Sequence, residues 1–210
     1  MTNIRFASNG NGTSNGAGLE PGPAGAEINL GAAEGAAAAL LAALGADPHS
    51  EHLRETPRRV ARAFAELLSR EPFAATTFPN DEGYDELVVV QGIPFQSLCM
   101  HHLLPFHGVA HVAYLPGERV VGLSKPARVV EYFSRELQIQ ERLTTQVADW
   151  LDLELDPKGA GIVVEAEHLC MSLRGVQKPG ARTVTSALRG ALKDDPRTRQ
   201  EFLSLIPAAT

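Results

Sequence analysis

The stretch Ser97-Leu-Cys-Met-His-His-Leu-Leu-Pro-Phe106 holds one of the two cysteines of this chain, and Glu165-Ala-Glu-His-Leu-Cys-Met171 holds the other. In both, thiol and imidazole are close neighbours: Cys99 with His101 and His102, Cys170 with His168. Two thiolates and one imidazole suit zinc, and three protein ligands leave the fourth tetrahedral position to a water whose pKa falls to about 7. A closed structural site would want a fourth protein ligand, which His101 or His168 could supply. The bland alternative is two buried cysteines acting as small apolar groups beside core histidines. A disulfide is disfavoured, because nothing at the N-terminus reads as a secretory signal.

Outward from these stretches the pattern alternates. Leu87 to Val90 is a short apolar run, and Gly108 to Leu115 is rich in β-formers and closed by Pro116-Gly117, so both read as strands. Pro126 opens a helix through Val129, Val130 and Phe133, and a second helix carries Leu143, Val147, Trp150 and Leu151 on one stripe. Gly161 to Ala166 and Thr183 to Leu188 return to strand, and a short helix around Arg199 to Leu205 closes the chain. Two strand pairs separated by two helices describe an α+β protein with an antiparallel sheet whose helices cover one face. The other face must be buried somewhere, and symmetric association is the simplest way.

Upstream, the alanine-rich stretch from Gly31 to Leu44 predicts a helix ended by Gly45. The next helix has Thr56 as N-cap candidate, Pro57 at the first helical position, and Val60, Phe64 and Leu67 at helical spacing. Its Arg58, Arg59 and Arg62 read as a solvated face. Residues 1 to 27 are rich in Asn, Gly, Ser and Pro and cannot offset the entropy of ordering, so a disordered tail is expected there. Residues 28 to 210 then form a single domain, with N-terminal helices over about 31–70 and the sheet over about 85–206.

The net charge of -6 argues against a general nucleic-acid binder, although a few local cations suffice for a phosphate-bearing small substrate. The longest apolar run, Ala36 to Leu44, is too short to span a bilayer, so no membrane association is expected and the cytoplasm is the default location.

The block from Ser97 to Phe106 resembles the zinc-binding segment of the GTP cyclohydrolase I family. So do Gly122-Leu-Ser-Lys-Pro-Ala-Arg128, Gln138-Ile-Gln-Glu-Arg-Leu-Thr144, Glu165 to Met171 with Arg174-Gly175, Thr183-Val-Thr-Ser-Ala-Leu188, and the early Thr56-Pro-Arg-Arg-Val60. Together they span about Gly31 to Ile206 in the family's order. The resemblance implies a tunnelling fold (T-fold), in which subunits join their sheets into an oligomeric barrel, commonly a homodecamer of two stacked pentamers with active sites between subunits. It implies conversion of GTP and water to formate and 7,8-dihydroneopterin 3'-triphosphate, the entry to folate and other pterins. It implies Cys99, His102 and Cys170 as zinc ligands and His101 and His168 as proton-transferring histidines. Glu141, with Gln140, matches the guanine-recognition position, and Ser124, Lys125, Arg128 and Arg174 match the lining of the triphosphate pocket.

These assignments make chemical sense. Opening the imidazole ring of guanine needs a nucleophile at C8 and a proton for the departing nitrogen, a task suited to histidine near its ordinary pKa of about 6.5. The guanine edge offers two parallel N–H donors, which one carboxylate can accept together. Lys125 and Arg128, three apart at a helix start, lie on one face near its positive end. His107 and His111, four apart on an expected strand, could imitate a metal pair but read as pocket or interface residues.

The family pattern reads Cys-Glu-His-His, and this chain carries Met100 in place of the glutamate. A carboxylate lost between a metal ligand and a proton-transferring histidine alters the surroundings that orient both. The alternatives to full turnover are a diverged paralogue that acts on another purine nucleotide or stops at a formylated intermediate, and a non-catalytic zinc-bound T-fold scaffold.

Overall fold

The computed structural model describes residues 27–206. The tail expected over residues 1 to 27 therefore lies outside the described residues, save its last. Two compact units are described, residues 27–69 and 70–206.

In the smaller unit α1 (Leu30–Ala43) packs on α2 (Thr56–Leu67). The Asn29 side chain caps α1 by accepting from the Ala32 N–H at 2.9 Å, and Gly45 follows the helix at φ 84, where glycine is unstrained. Thr56, expected as the cap of α2, is instead its first residue. Glu55 holds the cap position without a side-chain hydrogen bond, and Pro57 presets the first turn. Arg58, Arg59 and Arg62 are exposed, as a solvated face requires.

The larger unit runs β1 (Thr77–Pro79), β2 (Val88–Cys99), β3 (Pro105–Leu115), β4 (Arg119–Val121), α3 (Lys125–Ser134), β5 (Leu137–Gln138), α4 (Gln140–Leu155), β6 (Gly159–His168), α5 (Leu169–Ser172), β7 (Arg182–Gly190), α6 (Ala191–Asp194) and α7 (Pro196–Leu205). Its five-stranded sheet has the order β5-β2-β3-β6-β7, antiparallel except for β5, which pairs in parallel with the end of β2. β1 and β4 form a separate antiparallel ribbon. No described helix is long and apolar enough to cross a membrane.

β2 extends far beyond the run Leu87 to Val90. A bulge shifts its register between Val90 and Ile93, with Gly92 at φ 64. Val88 and Val90 face the main core before it, Ile93 and Phe95 after it. The bulge thus switches the inward set from even to odd positions, and no continuous alternation betrays the strand.

That core is formed by Phe106, Val112, Tyr114, Ile162 and Val164 of the sheet beneath Val129, Val130 and Phe133 of α3 and Leu143, Val147, Trp150 and Leu151 of α4. Truncating one of these large side chains to alanine should cost about 2–5 kcal/mol. Helices were expected on this face alone. In fact α6 and α7 cover one end of the opposite face, where Leu192 and Phe202 pack with Ala113, Val163 and Leu188. A segment after the last strand can fold back over either face, and its apolar spacing does not say which. Elsewhere on that face Val109, Glu165 and Val184 are cross-strand neighbours, with Val184 56% exposed.

Candidate active site

The connection 100–104 between β2 and β3 folds back on Cys99. The Cys99 carbonyl accepts from the Leu103 N–H at 2.8 Å and the His102 N–H at 3.3 Å, while the Cys99 N–H donates to Leu104 O at 2.9 Å. Leu103 holds φ 54, a left-handed conformation that costs a non-glycine residue about 1–2 kcal/mol. This tight return brings both imidazoles to the thiol, with Nδ1 of His101 3.9 Å and Nδ1 of His102 3.6 Å from Cys99 Sγ. The Met100 N–H donates to Gln138 O at 3.0 Å, and the Met100 side chain is 42% exposed.

The second thiol arrives through strand register. β3 and β6 pair with Phe106 opposite His168, so the chain leaving β6 passes the start of β3, and the single turn of α5 presents Cys170. Cys99, His102 and Cys170 then offer ligand atoms that all lie within 4.8 Å of one another, and this group could hold a metal ion. Ligand atoms on a tetrahedral zinc stand roughly 3.5–4 Å apart, given Zn–S of about 2.3 Å and Zn–N of about 2.0 Å. The Cys99–His102 distance already matches. Neither His101 nor His168 joins the group as a fourth ligand. Both cysteines are free, and burial pushes the Cys170 thiol up, with Cys99 adding to the effect. A bound cation would reverse that preference, because a ligating thiol is deprotonated.

His168 stacks flat on Phe106, with ring centroids 4.6 Å apart and planes 2° apart, and its Nε2 meets Gln140 Oε1 at 2.8 Å. Burial lowers its pKa below the ordinary histidine value, opposed by the charge of Glu141. Glu141 is exposed in the first turn of α4. Gln140, expected beside it at a guanine edge, is buried. The Gln140 amide nitrogen faces Val164 O at 3.1 Å, Thr183 O at 2.9 Å and Thr185 Oγ1 at 3.2 Å, so its polar atoms are engaged within the chain.

Arg174 is exposed in the segment between α5 and β7, and its charge reaches Cys170. Glu167 ties that segment down: its Oε1 accepts from Ser172 Oγ at 2.5 Å and from the Gly180 N–H at 3.1 Å, which holds its carboxyl below the usual range. Gln138 plays the matching part for β5. Its Nε2 donates to Phe133 O and Gln146 Oε1, both at 2.9 Å, and its Oε1 accepts from Arg142 Nε at 2.6 Å. Sequence reasoning assigned neither residue a role. The available signal was a polar side chain inside a motif already singled out.

Ser124, Lys125 and Arg128 stand at the start of α3, whereas it is the C-terminal end of α3 that leads into β5 beside Cys99. Ser124 occupies the cap position without a side-chain hydrogen bond, and both it and Arg128 are exposed. Among the described residues no hydrogen bond or ion pair joins the three to the Cys99 group. His111, on the sheet face away from α3 and α4, is buried, and its Nδ1 accepts from the Gly92 N–H at 3.3 Å. His107 is exposed.

The sequence profile of GTP cyclohydrolase I matches residues 33–207. The chain belongs to the GTP cyclohydrolase I family. The GTP cyclohydrolase 1 of Synechococcus sp. (strain JA-3-3Ab) is 55% identical over 171 residues, 80% of this chain and 75% of that protein. That of Aquifex aeolicus (strain VF5) is 53% identical, covering 80% of this chain and 91% of the relative, and that of Mycolicibacterium gilvum (strain PYR-GCK) is 54% identical, covering 83% and 89%. Among solved structures, the archaeosine synthase QueF-Like in the apo form aligns with a TM-score of 0.40 and 16% identity over 50% of this chain and 93% of that one, too remote to bear on the fold. Within this one chain Cys99, His102 and Cys170 come together, with His101 beside Cys99, whereas Ser124, Lys125 and Arg128 make no hydrogen bond or ion pair with them among the described residues.

Proposed function

We propose that this chain opens the imidazole ring of GTP by hydrolysis, giving formate and 7,8-dihydroneopterin 3'-triphosphate, with zinc as its resident metal. The observation that carries this is the convergence of Cys99, His102 and Cys170 beside a histidine, His168, that a partly buried hydrogen bond to Gln140 holds in place. Zinc bound there would supply a Lewis acid that brings the pKa of a water to about 7. The chain's own groups do the rest. His101 and His168 move protons to and from the ring nitrogens as the bonds to C8 are cleaved. Glu141 accepts from N1 and the 2-amino group of guanine. Lys125 and Arg128 at the N-terminus of α3, with Ser124 and Arg174, offset the triphosphate charge. Free thiols and a nucleotide substrate both suit the cytoplasm.

Oligomerisation completes this reading. The outer side of β7, and most of that of β2, is unpaired among the described residues, an arrangement that invites sheet extension. Val184, Leu173 and Val176 are exposed on or near β7, and Leu40 of α1 and Leu44 just after it are exposed too. A T-fold barrel, in a homodecamer of two pentamers, would cover such surfaces and bring α3 of one subunit to the Cys99 group of another. Incubating zinc-loaded protein with GTP and assaying formate and the fluorescent oxidised pterin tests the reaction: both should appear, and the absence of both from a fully loaded oligomer overturns it.

A second reading, slow or incomplete turnover, is favoured by Met100 alone. If a carboxylate at this position tunes the metal or His101, then Met100→Glu should speed formate release by roughly ten-fold, the scale of a supporting ligand contact. Equal, full yields of formate and pterin from both proteins would remove this reading.

A further inference from the structure

Every hydrogen bond around Gln140 has its direction set by proton counting. Thr144 spends its single hydroxyl proton on Gln140 O at 2.7 Å. The 2.6 Å contact between Thr144 Oγ1 and Thr185 Oγ1 therefore uses the proton of Thr185. That leaves Thr185 Oγ1 only as an acceptor, alongside the carbonyls of Val164 and Thr183, and all three face one end of the Gln140 amide. Only the NH2 end, its two protons shared among the three acceptors, fits there; the flipped amide would press its oxygen against two carbonyl oxygens. The Gln140 oxygen must then be the atom 2.8 Å from His168 Nε2, and an oxygen without a proton can only accept.

We propose that Gln140 is a positioning residue that holds His168 as the Nε2–H tautomer, so that His168 gives and takes protons at Nδ1. Phe106, stacked on the ring, fixes its plane, and Gln140 fixes which edge faces the protein. In the neutral ring one nitrogen donates and the other accepts, so a proton committed to Gln140 at Nε2 leaves the lone pair on Nδ1, which makes no hydrogen bond among the described residues. The guanine edge is then read by Glu141 without the Gln140 amide. The catalytic consequence rests on the proposed function, but the tautomer does not.

The test uses zinc-loaded oligomer with 15N in its histidine rings, observed by solid-state NMR at a pH above the ordinary histidine pKa, with His168 signals identified by their loss in His168→Gln. The native ring should show a protonated Nε2 and a bare Nδ1; an Nδ1–H form, or a mixture of the two, overturns the proposal whether or not GTP is turned over. Gln140→Met, similar in size but without an acceptor, should mix the tautomers and lower kcat by roughly a hundred-fold with KM and zinc content unchanged, in line with the cost of a misplaced imidazole proton. A raised KM at unchanged kcat would instead make Gln140 a guanine-binding residue. Should Gln140→Met fail to assemble, the native spectrum decides alone.

Discussion

The group at the end of β2 and the cations at the start of α3 are built to different tolerances. Cys99 ends a strand paired on both sides, Cys170 follows another by one turn, and His168 is held by a cross-strand stack and a buried amide. Lys125 and Arg128 project from the first turn of α3, and Arg128 and Ser124 are exposed. Metal ligation and proton transfer fail when an atom is misplaced by about an ångström, so the proposed roles of these residues would call for rigid elements of one chain. Charge compensation for a triphosphate falls off gently with distance, so it can be delivered across a subunit boundary.

The sharpest way to break this contrast is Cys170→Ala, which should abolish stoichiometric zinc, read by metal analysis, together with all activity. Full zinc in that variant would mean that Cys170 is only a core residue. Next, Arg128→Ala should weaken GTP binding by the worth of a charge-assisted hydrogen bond, about 1.5–3 kcal/mol or roughly ten- to a hundred-fold, with zinc retained. Co-refolding Arg128→Ala with Cys170→Ala should regain activity, since mixed oligomers contain interfaces with one intact half from each. No regain would place both halves in a single subunit.

Glu141→Gln probes the proposed guanine contact, and it should raise the Kd for GTP by roughly ten-fold or somewhat more, because a mispaired polar group costs about 1–3 kcal/mol. Unchanged affinity in titration calorimetry would leave Glu141 an ordinary surface residue. The smallest effect is expected away from the site. Burial lowers the pKa of His111, with Glu165 opposing. Its folded pKa thus lies below the unfolded value of about 6.5, and the stability linked to it is present above that value and lost as pH falls below it. His111→Gln keeps an acceptor for the Gly92 N–H, so it should flatten the acid side of the urea midpoint against pH without altering zinc content; an unchanged slope would assign the acid sensitivity to other groups.

How much of this was legible depended on distance along the chain. The two cysteines with their histidines stood out because soft donors are scarce here and adjacent in sequence, and the Leu143, Val147, Trp150 and Leu151 stripe because one helix carries its own periodicity. β2 was read only at its start, since the bulge at Gly92 reversed its alternation. The place of α6 and α7 on the second sheet face, and the use of Gln138 and Glu167 as ties, depended on partners that no local pattern names.

The sequence by itself therefore determined the two Cys–His clusters, the order of the four long strands and the five longer helices, and the cationic start of α3, because each is carried by residues near one another in the chain. Only the tertiary structure decided that Cys170 reaches Cys99 and that Gln140 turns its amide inward. Both follow from strand register: Phe106 against His168 in one case, and carbonyls 24 and 43 residues away, on Val164 and Thr183, in the other. Register is set by the packing of the whole sheet and is not encoded at either residue.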